Sequence, residues 1–150
     1  MYIATLFIHS WLRYAVLLLG VALIAGAVGG VRAGRWSAGL ERLHVSFLAV
    51  LDVQLILGLA LYFLFSPITK AALANMGAAM KDPQLRWFGV EHIFTMLVAV
   101  IVAHVGRIRS KRQGDARSRS VLITQCIWLV LTFVAIPWPW LDVARPLLRM

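Results

Sequence analysis

A handful of side chains able to do chemistry sit in stretches that are otherwise almost wholly apolar. His9, His44, His92 and His104 each fall in or at the edge of an apolar run, and none falls in a connecting segment. Asp52 and Gln54 lie near the middle of the second run, Arg13 lies inside the first, and Glu91 opens the third. An ionisable group at the centre of a membrane helix costs about 2.5–3.5 kcal/mol on insertion scales, which makes each a functional candidate. An imidazole can hold haem iron. A carboxylate or amide can carry or position a proton for a quinol. An arginine fork matches a carboxylate, a haem propionate included.

The elements that must position these groups follow from length. A helix crossing the hydrocarbon needs about 20 mostly apolar residues. Four segments qualify: 3–28, 43–65, 88–106 and 121–138. Backbone groups in lipid must be satisfied internally, so each is read as a helix. The expected fold is all-α, a single integral membrane four-helix bundle over residues 1–150, running up-down-up-down. The first run is too long, and lacks the basic start, for a cleaved signal peptide. Composition agrees: 61% of the 150 residues are hydrophobic and 14% charged, against about 45–50% and about 25% for soluble domains. That excludes a disordered chain and argues against a soluble nucleic-acid binder. The lone Cys126 excludes a disulfide framework within the chain.

The formal charge is +9. Nine of the basic side chains fall in the connections 29–42 and 107–120, which share one side of a four-span chain; six fall elsewhere. Basic loops face the cytoplasm, so both termini are expected in the periplasm of a bacterial inner membrane. Trp11, Trp36, Trp87, Trp138 and Trp140 lie near span ends, where an aromatic belt would place them. In the longest connection, 66–87, an alanine-rich stretch predicts a short interfacial helix ended by the Lys81-Asp82-Pro83 turn.

Helix direction sorts the histidines into an outer pair, His9 with His92, and an inner pair, His44 with His104. Two imidazoles at one level on two helices can take the two faces of a b-type haem. His92 and His104 are 12 residues apart on one span, which is about 18 Å along a helix and about 120° around it. Arg13 and Glu91, both on the outer side, are expected to pair, relieving two desolvation costs. Plainer readings stand beside these. His9 and His44 suit interfacial hydrogen bonding, Asp52 a protonated partner inside the bundle, and Cys126 an apolar filler. Gly20, Gly26 and Gly30 suit close helix packing.

The opening IHSWLRYAVLLLG resembles the first span of bacterial b-type membrane cytochromes. EHIFTMLVAVIVAHVGRIRSKR is similar to their helix that carries two histidines and ends in basic residues. His9-Ser10-Trp11-Leu12-Arg13, Glu91-His92 and Ile136-Pro137-Trp138-Pro139 also resemble a group of small four-span bacterial proteins commonly labelled cytochrome b. The resemblance implies haem b, one or two per chain, with His9, His44, His92 and His104 as axial candidates and the iron held through His92 and His104. It implies electron transfer linked to quinol; the residues themselves offer Asp52, Gln54 and Glu91 as proton or quinone candidates and Arg13 as a propionate candidate. The implied partners are the lipid bilayer and other membrane or periplasmic redox subunits, with no nucleic acid. The alternative is a non-haem accessory subunit of a larger membrane complex.

Overall fold

In a computed structural model the described residues, 1–111 and 115–146, form helices and no strands. α1 spans Tyr2–Ala33, α2 Ala38–Ala60, α3 Pro67–Ala74, α4 Met76–Ala79, α5 Pro83–Arg86, α6 His92–Arg109 and α7 Asp115–Ala135. Single π-helical turns extend α2 over Leu61–Phe65 and precede α6 over Trp87–Glu91. Four helical segments are long and apolar enough to cross a membrane: Tyr2–Ala33, Ala38–Phe65, Pro83–Arg109 and Ala116–Ala135. The chain is thus an all-α helical bundle suited to a multi-pass membrane protein. Arg112 and Arg149, both counted in the charge argument, lie outside the described residues.

All four spans start or end beyond the apolar runs, α7 beginning at Asp115 and ending at Ala135 rather than covering 121–138. α1 reaches Ala33 and ends at Gly34, whose φ of 62° lets its N–H turn back onto Val31 and Gly30 carbonyls. Ser37 caps α2, its hydroxyl accepting from the Leu40 N–H at 3.1 Å. α6 is preceded without a break by the π turn and α5, which Asp82 caps by accepting from Leu85 N–H at 2.8 Å. The alanine-rich connection is helical as expected, split into α3 and α4, with Ser66 and Asn75 as their caps.

α7 packs along both α1 and α6, α1 along α2, and the thinnest contact in the ring is between α2 and α6. Trp128 sits at the centre of the bundle, fully buried, with the Phe47 ring edge-on at 4.8 Å. Leu23, Leu51, Ala27, Ala99, Ala103 and Val121 belong to the same buried core. Glycine sets the helix spacing. Gly20 faces the Trp128 ring, Gly30 faces Ser118 and Gly106 faces Thr124. Gly26 instead faces Leu40 on α2, so the glycines of α1 serve two neighbours.

Candidate functional site

The outer half of the bundle holds a cavity of about 160 Å³ between α1, α2, α6 and the end of α7. His9 and His92 both line it, and they are near enough to interact electrostatically. The outer pair expected from helix direction is therefore brought together. The imidazole of His92 is oriented by α7: its Nδ1 lies 2.8 Å from the Ala135 carbonyl oxygen. A carbonyl only accepts, so Nδ1 carries the proton and Nε2 keeps its lone pair. An outer-sphere hydrogen bond of this kind is what fixes the tautomer of a metal-ligating histidine.

His9 is held differently. Gln54 on α2 donates to the His9 backbone carbonyl at 3.0 Å, and its amide nitrogen lies 3.4 Å from His9 Nε2. Among the described residues His9 Nδ1 is buried with no hydrogen-bond partner. Gly58 supplies the room, because a β-carbon there would sit 3.2 Å from the ring. The polar lining also includes Ser10, Arg13, Tyr62 and Thr69, and Arg145 adds a second guanidinium. Arg13 donates to the Tyr14 hydroxyl at 2.9 Å. Arg145 is carried back over the site by the segment after α7, where its N–H bonds Pro137 O at 3.2 Å and its guanidinium stacks on Phe88.

Both π turns border this end. Tyr62, in the first, donates to the Gly89 carbonyl in the second at 2.8 Å, and Thr69 donates to Tyr62 O at 2.7 Å. Gly89 has no side chain because Ala72 of α3 lies against it. The second turn also settles Glu91. Its carboxylate takes Arg86, five residues back, at 2.7 Å, in place of the expected pairing with Arg13. A π turn aligns residues five apart, which puts Arg86 and Glu91 on one side.

The inner pair is not arranged like the outer one. His104 Nε2 lies 2.9 Å from Asp52 Oδ1, so the nitrogen best placed for iron is already engaged. The expected 120° rotation along α6 is visible: His92 meets α7 and His104 meets α2. His44 is fully buried beside the Trp36 ring, and neither ring nitrogen has a partner among the described residues. Asp52 and Glu91 do not line the outer cavity, whereas Gln54 does. Among the described residues no group of three or more His, Cys, Asp or Glu is placed to hold a metal ion.

Sequence reasoning missed the cluster at the inner end. Glu41 accepts from Arg107 of α6 at 2.6 Å, from Arg117 of α7, and from Trp36 Nε1 at 3.0 Å. Arg117 also stacks on the Trp36 ring at 4.6 Å. Trp36 is thus a ligand of this cluster as well as a residue at a span end. The only signal was one acid among many arginines. The chain matches no protein-family model, no curated protein and no solved structure.

Proposed function

We propose that this is a b-type cytochrome-like protein of the bacterial inner membrane, with both termini in the periplasm. It would hold one haem b in the outer cavity and take electrons from quinol. The observation that carries the reading is the His92 tautomer: Nδ1 is bound to Ala135, and the Nε2 lone pair is left on a side chain that lines a cavity shared with His9. The residues present fit the group. His92 and His9 would hold its iron, and Arg13 and Arg145 would meet its propionates. When bound, the haem supplies one-electron redox chemistry. The chain's own part is to orient the His92 ring, to exclude water with Phe88, Ile93 and Met96 on the cavity wall, and to neutralise carboxylates at the cavity rim. His104 is not proposed as a ligand, because Asp52 holds its Nε2.

The test is a reduced-minus-oxidised visible spectrum of protein expressed with ample haem. The expected result is a b-type α band and one haem per chain. His92→Ala should lose it, and His104→Ala should retain it. A wild-type protein without haem bands would overturn the reading. A second reading is favoured by the approach of the Gln54 amide to His9 Nε2. In it the protein is a non-haem subunit whose cavity takes a quinone headgroup, with His9 and Gln54 bonding its carbonyls. Quinone co-purifying with a protein free of haem would decide for it.

A further inference from the structure

Asp52 and His104 form the most exposed polar pair inside the spans. Their side chains are 47% and 43% exposed, and Asp52 lies near the middle of the Ala38–Phe65 span. Exposure at that depth means facing hydrocarbon. The bond between them uses one carboxylate oxygen and one ring nitrogen. The remaining oxygen and nitrogen have no water to turn to in a bilayer core. This cost is present at all times, so a ligand that comes and goes does not relieve it, whereas a lasting protein contact does.

The surroundings of the pair have the form of a helix seam. On α2 the same stripe carries Val45, Ala49 and Ile56, and on α6 it carries Leu97, Ile101 and Ile108, all exposed. With Asp52 and His104 included, both stripes are spaced four, three and four residues apart. That is the heptad spacing of packed helices, in which one polar position fixes register. Ala49, one turn below Asp52, lets a neighbouring helix come close. Of the neighbouring spans, α2 and α6 share the thinnest contact, so their outer edges lie open side by side.

The geometry points to a second copy of this chain as the occupant. A two-fold axis along the membrane normal, in front of this face, sets α2 of each copy against α6 of the other. Asp52 then lies opposite His104 of the second copy, and His104 opposite its Asp52. A two-fold interface requires that kind of self-complementarity, with residue i meeting j and j meeting i. A different partner would have to bring hydrogen-bonding groups for both at the right depth, whereas a second copy carries them already. The face lies on the opposite side of α6 from His92, so the dimer forms whether or not the outer cavity holds haem.

The experiment co-expresses two copies with different affinity tags, purifies by one tag and measures recovery of the other. Wild-type particles are also weighed in lipid nanodiscs. The expected result is co-purification and a mass of two chains. Ile101→Trp, on the face, should lower recovery of the second tag at least tenfold. Leu18→Trp, on an exposed position of α1, should leave it unchanged. Both sites are exposed, and unfolding curves that superimpose on wild type confirm that each variant is folded. A single-chain mass for wild type would overturn the proposal. So would equal effects of the two tryptophans, or recovery of another membrane protein in stoichiometric amount in place of the second tag.

Discussion

At Gly20 the α1 backbone lies so near the Trp128 indole that a β-carbon would overlap ring atoms. Trp128 is fully buried and braced by Phe47, so the ring has no easy retreat. Gly20→Ala should therefore destabilise by about 1–3 kcal/mol, the usual cost of overpacking. Gly29, on the same helix, has nothing within 4 Å of the corresponding position. There the same substitution should be neutral or stabilising, by up to about 1 kcal/mol, because alanine is the better helix former. Thermal unfolding in detergent, followed by tryptophan fluorescence, compares the two directly. Equal effects would show that contact with Trp128 does not set the α1–α7 spacing. The same scale explains the histidines. Which nitrogen of His92 is free is decided by one carbonyl, that of Ala135, 43 residues away in the chain, and no local pattern announces such a partner.

At the level of elements, the inner ends of the spans are tied by one carboxylate. Glu41 on α2 holds Arg107 on α6 and Arg117 on α7, and no other acid takes part in that cluster among the described residues. Removing it leaves two part-buried guanidiniums facing each other. Glu41→Gln should cost about 1–3 kcal/mol. A double-mutant cycle with Arg117→Gln should give a coupling of about 0.5–3 kcal/mol. Denaturant titration measures both, and strict additivity would show that the clamp carries no energy. How much of this was legible in the sequence divides along the same line. The spans could be read because a bilayer fixes the length of an apolar helix. Their polar ends, such as Arg32 and Ala33 of α1 or Pro83–Arg86 ahead of α6, were not counted because hydropathy ignores helix that continues past the hydrocarbon. The levels of the histidines followed from helix direction, and the outer pair does share a cavity. Rotation about each helix did not follow, and it gave His104 to Asp52. The π turns change that rotation without leaving a mark in the composition.

For the whole molecule, the charge of +9 is what would orient the bundle on the proposed topology. Along the sequence nine basic residues fall in the two short connections and six elsewhere, a margin of three. Arg32, Arg35 and Arg42 account for that margin alone, and all three are exposed with no ion pair among the described residues. They can be changed without touching the Glu41 clamp or the core. Single-cysteine chains in a Cys126→Ser background report the orientation through a membrane-impermeant maleimide applied to intact cells. Gly77→Cys, in the long connection, should label, and Lys111→Cys should not. When Arg32, Arg35 and Arg42 are all replaced by glutamine, the two sides carry equal basic charge and the positive-inside bias vanishes. The expected outcome is a mixed population in which both positions label in part. Unchanged labelling in the triple variant would mean that the connection 107–120 alone fixes the orientation. Reversed labelling in the wild type would place both termini in the cytoplasm, and the cavity of His9 and His92 with them.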